Sequence, residues 1–148
     1  MSSTPSRTPT NHRSPFVLLV EDSPADIYIV RESLKRHLKD IELQVLSDGE
    51  KAFDLIEATE ADDSAASPAI LILDLNLPKR SGQEILRRIR QSSKLGRIPV
   101  VIFTSSDSPA DRAETTRLGA TAYFRKPADL EEFMCIGKVV QSVLTAHI

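Results

Sequence analysis

The apolar positions of this chain fall into short unbroken runs separated by longer stretches with helical spacing. Three runs stand out, at Phe16–Val20, Ile70–Leu73 and 100–103, and consist mostly of branched aliphatic residues. An unbroken run has no polar face, so each predicts a strand buried on both faces, as in a parallel sheet covered by helices. Two further strands are predicted at 41–46, where apolar and polar residues alternate as in an edge strand, and at 121–125.

The stretches between these strands carry apolar residues at helical spacing. After the first strand, Ser23 and Pro24 suit the N-cap and first position of a helix. The five predicted helices cover 24–39, the stretch after the turn 47–49, the stretch before Gln91, 108–118 and a single last helix over 130–144. Strict alternation of strands and helices predicts an open, doubly wound α/β sheet with helices on both faces.

The composition of the N-terminal residues indicates where the folded domain begins. Residues 1–15 hold Ser, Thr, Pro, Asn and Arg and no large apolar residue after Met1, which predicts a disordered arm. Residues 16–148 then form one domain, since a chain of 148 residues suits a single substantial core. We expect no separate effector domain beside it.

The net charge and the cysteine content limit the possible binding partners and the cellular compartment of the protein. The formal net charge is −2, which gives no broadly basic surface for nucleic acid. The single cysteine, Cys135, lies in the predicted last helix and is expected to be a buried structural thiol in a reducing compartment. No apolar run is long enough to span a bilayer, and the N-terminus lacks the apolar core of a signal peptide, so we expect a cytoplasmic protein without a membrane partner.

The candidate chemistry lies where the predicted strands end. Glu21 and Asp22 end the first strand, Asp74 ends the third, Thr104 ends the fourth and Lys126 follows the fifth. In a right-handed doubly wound sheet these ends open on one edge, so three acids, a hydroxyl and an amine are expected to share one crevice. Taken singly, each has an ordinary explanation as a helix-start acid, a turn residue, a loop hydroxyl or a solvated lysine. Their joint placement favours a functional site.

The chemistry of this set points to phosphoryl transfer. Two carboxylates 4 Å apart repel by roughly 4 kcal/mol at an effective dielectric constant of 20, so three of them need a compensating cation. Magnesium binds through one or two carboxylates and leaves positions for phosphate oxygens. A lysine supplies a positive charge for phosphate, and a threonine hydroxyl can donate a hydrogen bond to it. The set therefore indicates a carboxylate nucleophile that accepts a phosphoryl group with the help of Mg²⁺.

With these motifs the chain resembles the receiver domains of two-component response regulators, from about residue 16 to its end. The resemblance rests on the pair Glu21-Asp22, on Asp74 in Asp-Leu-Asn-Leu-Pro, on Thr104, on Tyr123 and on Lys126-Pro127, with spacings usual for the family. It implies a flavodoxin-like fold with the strand order 2-1-3-4-5. It also implies that Asp74 accepts a phosphoryl group from a histidine of a separate sensor kinase.

The resemblance assigns a role to each site residue. Asp22 and Asp74 would bind Mg²⁺ directly together with the backbone carbonyl of Asn76, and Glu21 would act through water. Thr104 and Lys126 would hold the phosphoryl oxygens, and the Lys126–Pro127 bond would be cis so that the lysine points into the crevice.

The family also suggests how phosphorylation is read out. When Thr104 moves toward the phosphoryl group, Tyr123 would change from an exposed to a buried position. The fourth helix, the last strand and the last helix would form a homodimer surface, although ordinary solvent exposure of that surface remains an alternative.

The motifs Val-Glu-Asp-Ser-Pro-Ala-Asp and Asp-Leu-Asn-Leu-Pro look most like the small regulators partnered with cyanobacterial and bacterial phytochrome kinases. The resemblance implies a switch that catalyses only its own phosphorylation and dephosphorylation, and two other functions are alternatives to it. A Mg²⁺-dependent aspartyl phosphatase of the haloacid dehalogenase type needs a second acid two residues after its nucleophile, where this chain has Asn76. A pseudo-receiver that works without phosphorylation predicts a lost acceptor, hydroxyl or lysine, and none is lost.

Overall fold

The computed structural model describes residues 15–147, and within them five strands alternate with helices, the last strand being followed by two helices in succession. The strands are β1 (Phe16–Val20), β2 (Glu42–Leu46), β3 (Ile70–Leu73), β4 (Val100–Thr104) and β5 (Ala122–Arg125). The helices are α1 (Pro24–His37), α2 (Gly49–Ala61), α3 (Gly82–Arg90), α4 (Pro109–Arg117), α5 (Leu130–Phe133) and α6 (Ile136–Ala146). The predicted arm falls outside the described residues apart from Pro15, so its disorder stays a prediction.

The five strands form one parallel sheet in the order β2-β1-β3-β4-β5. This confirms the predicted strand order and the doubly wound, flavodoxin-like fold. The central strand β3 is completely buried, and alternate residues of β1, β3 and β4 point into two separate cores. One core packs against α2 and α3 and the other against α1, α5 and α6, so helices cover both faces of the sheet.

Hydrogen bonds continue past the ends of the strands and hold the next residues in register. The backbone N–H of Glu21 donates to the carbonyl of Leu46 at 3.0 Å, and that of Asp74 donates to the carbonyl of Val20 at 3.1 Å. The N–H of Lys126 donates to the carbonyl of Thr104 at 2.7 Å. The residues that follow β1, β3 and β5 are therefore fixed side by side at the carboxyl edge of the sheet.

The prediction of a single last helix was wrong, because the helix is interrupted between α5 and α6. The buried hydroxyl of Ser33 in α1 donates to the carbonyl of Met134 and accepts from the N–H of Gly137 at 2.8 Å. The N–H of Lys138 bonds instead to the carbonyl of Cys135 at 3.0 Å. A hydroxyl on a neighbouring helix thus takes the place of the continuing helical hydrogen bond.

The prediction of a buried thiol was also wrong. Cys135 stands at the start of α6 and is exposed. Phe133, Ile136 and Val140 occupy the buried side of α5 and α6, and Cys135 faces away from it.

The helices are short, since α1, the longest, has 14 residues and α5 has four. A membrane-spanning helix needs about 20 mainly apolar residues. Across residues 15–147, no helix has the length and hydropathy needed to cross a bilayer.

Candidate functional site

Three carboxylates meet at the carboxyl edge of the sheet, as the sequence predicts. Glu21 and Asp22 follow β1 directly, and Asp74 follows β3. One oxygen of each lies within 4.8 Å of the others. Glu21 and Asp74 are only 1% and 5% exposed, whereas Asp22 is exposed to solvent. The cluster is therefore an acidic pocket with one open side.

The buried carboxylate of Glu21 is held by the backbone. Its Oε2 accepts hydrogen bonds from the N–H groups of Asp22 and Ser23, each at 3.0 Å. Burial raises the pKa of Glu21 to about 7; a hydrogen bond from Lys126 opposes this rise, and the negative charge of Asp74 adds to it. The pocket thus holds its acids together at an electrostatic cost that a bound cation would relieve.

Lys126 is the positive charge of the pocket, and its side chain is 11% exposed. Its Nζ lies 2.7 Å from Oε1 of Glu21, 2.9 Å from Oδ2 of Asp26 and 3.4 Å from Oδ2 of Asp74. Burial alone would lower the pKa of Lys126, but the hydrogen bonds to Glu21 and Asp26 and the charge of Asp74 raise it above its usual value. The ammonium group therefore stays charged beside the carboxylate of Asp74.

Asp26 is a pocket residue that the sequence analysis did not single out. As an acid in the first turn of α1 it has the ordinary explanation of favouring the helix macrodipole. Its position on the face of α1 that approaches the end of β5 becomes visible only once the sheet is assembled.

The predicted cis bond before Pro127 was wrong, since residues 15–147 contain no cis peptide bond. A trans bond is the preferred form even before proline. Lys126 reaches the pocket all the same, because its backbone is held against Thr104 and its side chain has a flexible four-carbon stem. The side chain of Lys126 therefore points into the pocket without a cis peptide bond.

Thr104 and Tyr123 meet at the loop between β4 and α4. Thr104 is fully buried, and its Oγ1 accepts a hydrogen bond from the N–H of Ser106 at 3.2 Å. The hydroxyl of Tyr123 donates to the carbonyl of the same Ser106 at 3.1 Å, and the guanidinium carbon of Arg112 lies 4.2 Å from the ring centroid. Tyr123 is half-buried rather than exposed as expected, because this loop and Arg112 hold its ring.

The loop that carries Asp74 and Asn76 is packed closely against its neighbours. The N–H of Asn76 donates to Oδ1 of Asp74 at 3.4 Å, and the N–H of Gly82 donates to the carbonyl of Leu75 at 3.1 Å. A Cβ atom at Gly82 would lie 2.2 Å from the carbonyl oxygen of Asp74, so only glycine fits there. Asn76 itself is exposed.

The donor set fits a hard divalent cation such as Mg²⁺ or Mn²⁺. All the ligand atoms offered are oxygens, which is the preference of such ions. Both oxygens of Glu21 already accept hydrogen bonds, from Lys126 and from two N–H groups. The oxygens of Asp74 also have partners, but at 3.4 Å each, and Asp22 is exposed. Asp22 and Asp74 are therefore better placed for direct coordination than Glu21, whose contacts are 2.7–3.0 Å long.

Comparison with known proteins agrees with this geometry. The family model described as "Response regulator receiver domain" matches residues 17–136. The chain belongs to the response regulator receiver family.

Two curated regulators resemble this receiver domain over most of their own length. Response regulator Rcp1 of Synechocystis sp. is 38% identical over 127 residues, which cover 86% of this chain and 84% of that protein. The probable methanogenesis regulatory protein FilR2 of Methanothrix harundinacea is 34% identical over 119 residues, which cover 80% and 76%.

Solved structures give the same result. The Mn²⁺-bound form of Rcp1 is 36% identical with a TM-score of 0.78 and covers 86% of this chain and 92% of its own. The phosphorylated cyanobacterial phytochrome response regulator RcpA is 30% identical with a TM-score of 0.81 and covers 91% and 96%. These neighbours confirm the fold and the predicted resemblance to phytochrome response regulators.

Proposed function

We propose that this receiver domain is a phosphorylation switch in which Asp74 accepts a phosphoryl group from a histidine of a sensor kinase. The observation that carries the proposal is the position of Asp74, a buried carboxylate 3.4 Å from the ammonium of Lys126 and grouped with two further acids. One nucleophile, one fixed positive charge and an oxygen-rich pocket are the parts that phosphoryl transfer requires.

The carboxylate of Asp74 acts as the nucleophile. One of its oxygens forms a bond to phosphorus while the bond between phosphorus and the donor nitrogen breaks, and the histidine leaves with that electron pair. Asp22, Asp74 and the backbone carbonyl of Asn76 would hold Mg²⁺, with Glu21 acting through water. When bound, the ion neutralises the charge between the acidic pocket and the anionic donor.

Lys126 and Thr104 hold the new phosphoryl group. Lys126 already contacts Asp74, and the hydroxyl of Thr104 can donate a charge-assisted hydrogen bond to a phosphoryl oxygen. Because Ser106 is bound to both Thr104 and Tyr123, a shift of Thr104 toward the phosphoryl group also changes the position of Tyr123. Thr104→Ala should therefore still accept phosphate at Asp74 but give a smaller NMR response at Tyr123.

The partner that fits this site is a sensor histidine kinase, and a phytochrome is the most specific candidate. Support comes from the likeness to RcpA, which is a phytochrome response regulator, and to the bacteriophytochrome response regulator RtBRR at 35% identity and a TM-score of 0.69. Mixing the purified chain with phosphorylated, labelled phytochrome kinases tests this directly. Faster phosphoryl transfer to this chain from a kinase of another class would contradict it.

The signal leaves as a change in protein contacts, with a homodimer through α4, β5 and the last two helices as the expected form. Two features support this surface: α4 buries only Thr115, and Leu130 on α5 is 60% exposed. Sedimentation velocity over a range of concentrations, with and without phosphorylation, measures the association. A monomer throughout would contradict it.

The decisive experiment is phosphorylation by a small-molecule phosphodonor in the presence of Mg²⁺, followed by measurement of the intact mass. We expect a gain of one phosphoryl group per chain, which chelator and the Asp74→Asn substitution abolish. Asp54→Asn, which removes an exposed acid on α2, is the matched control and should label normally. Labelling of Asp74→Asn, or no effect of chelator, would contradict the assignment.

The same experiment separates the rival functions. A pseudo-receiver gives no mass gain under any condition. A phosphatase of the haloacid dehalogenase type would hydrolyse simple phosphate esters with repeated turnover, a reaction that the amide of Asn76 in place of the second acid disfavours.

A further inference from the structure

We propose that Asp26 is a positioning residue that competes with the phosphoryl group for Lys126, and that this ion pair sets how tightly the pocket holds a phosphoryl group. The inference rests on the proposed function, because it concerns the same lysine. It adds a residue of α1 to a site otherwise built from the ends of the strands.

The contacts of Lys126 carry this inference. Its ammonium group has three N–H donors, and three carboxylates lie around it at 2.7, 2.9 and 3.4 Å, from Glu21, Asp26 and Asp74 respectively. Asp26 is thus closer to Lys126 than the proposed acceptor Asp74 is. The ammonium group thus has three carboxylates around it before any phosphoryl group arrives.

A phosphoryl group on Asp74 changes this balance, since it adds three strong acceptor oxygens and more negative charge. The third partner of Lys126, the carboxylate of Asp74, becomes part of the acyl phosphate. For Lys126 to move from 3.4 Å into close contact with a phosphoryl oxygen, its ammonium group has to draw away from Glu21 or from Asp26. Glu21 is 1% exposed and would be left buried without its positive partner, which is costly. The side chain of Asp26 is 22% exposed and can be solvated by water instead. Asp26 is therefore the partner that Lys126 gives up.

Two consequences follow from the exchange. In the unphosphorylated protein Asp26 holds Lys126 back from Asp74, so the pair opposes capture of the phosphoryl group. After phosphorylation the carboxylate of Asp26 is free, so the first turn of α1 carries a charge that it did not present before. Asp26 acts only through Lys126 and does not touch the reacting atoms.

The test measures binding of beryllium fluoride, a phosphoryl mimic, to the full chain with Mg²⁺ by titration calorimetry. Asp26→Asn should bind it more tightly by roughly threefold to tenfold, the range that the loss of a competing, partly buried ion pair corresponds to. Asp26→Glu keeps the carboxylate and should return the affinity toward that of the wild type. Equal affinities for Asp26→Asn and the wild type, or weaker binding by Asp26→Asn, would overturn the inference.

A double-mutant cycle separates a contact with Lys126 from the general effect of removing one negative charge. In a Lys126→Gln background, Asp26→Asn should change the affinity by less than about twofold, because the residue through which Asp26 acts is gone. A through-space effect of charge would give the same gain in both backgrounds and would overturn the inference.

A spectroscopic measurement tests the contact without any phosphoryl group. In ¹⁵N-labelled protein free of Mg²⁺, Asp26→Asn should shift the side-chain Nζ resonance of Lys126, whereas Glu32→Gln, which removes the partner of Lys35 on the same helix, should not. An unchanged Lys126 resonance would overturn the inference. A wild-type chain that neither binds beryllium fluoride nor takes label at Asp74 would refute the proposed function as well, so the two failures are distinguishable.

Discussion

Helices α3 and α4 have the same length and nearly the same start, yet they are held in the molecule very differently. Each has nine residues and a serine N-cap. Helix α3 buries Ile85, Leu86 and Ile89 in the core under the sheet, whereas Thr115 is the only buried residue of α4. Capping therefore defines where both helices begin, but only the apolar stripe of α3 makes it part of the scaffold.

The difference in packing between α3 and α4 corresponds to the loops of the site to which each helix is hydrogen-bonded. The first residue of α3, Gly82, is bonded to the loop that carries Asp74. The N-cap of α4, Ser108, donates to Oγ of Ser106, which in turn bonds to Thr104 through its own N–H. The proposed acceptor is thus supported by the well-packed helix, and the residues proposed to respond are attached to the weakly packed one.

The largest expected difference concerns the core. Leu86→Ala should lower the free energy of unfolding by about 2–5 kcal/mol, because it removes a fully buried side chain and leaves a cavity. Arg117→Ala on the exposed side of α4 should change it by less than about 0.5 kcal/mol. Urea denaturation with unchanged m-values measures both, and comparable losses would remove the distinction between the two helices.

The N-caps provide a matched pair of intermediate size. Ser81→Ala removes a capping box, in which Ser81 and Glu84 bond each other's N–H groups, and should lower global stability by about 0.5–2 kcal/mol. Ser108→Ala removes a similar bond but should mainly speed amide hydrogen exchange within α4, since that helix can open without unfolding the core. Equal effects of both substitutions on global stability would show that α4 is as firmly integrated as α3.

Tyr123 offers a smaller test on the α4 side. Tyr123→Phe removes the hydrogen bond to the carbonyl of Ser106 and should destabilise the loop before α4 by about 0.5–1.5 kcal/mol. Hydrogen exchange of residues 105–108 measures this effect. Tyr28→Phe, at the other and well-exposed tyrosine, is the control and should leave this loop unchanged.

The smallest expected effect is a pH dependence on the α3 side. The hydrogen bond from the N–H of Ser81 holds the pKa of Glu84 below its ordinary value of 4.5. A lowered folded-state pKa adds stability above the unfolded pKa, and this stability is lost as the pH falls through the folded pKa. The advantage of the wild type over Glu84→Gln should therefore shrink as the pH drops below 4.5. Denaturation at several pH values measures it, and a difference independent of pH would contradict the cause.

Much of the scaffold and the site was predictable from the sequence, for reasons that are local. Unbroken apolar runs predict the buried strands because no polar residue could lie on either face of them. Serine and proline predict the starts of α1 and α4, because these residues satisfy the free N–H groups at a helix start or need none. The shared edge of Glu21, Asp74 and Lys126 follows from strand alternation and the handedness of the connections.

The features that only the tertiary structure determines depend on contacts between residues far apart in the chain. Ser33 interrupts the last helix about a hundred positions later in the chain, where Gly137 is the local sign of the close approach. The trans bond before Pro127 still lets Lys126 meet Asp26, a pairing between β5 and α1. The local sequence indicates the backbone conformation and which face of an element is apolar. The partner of a polar side chain is instead the donor or acceptor that tertiary packing places within about 3 Å of it.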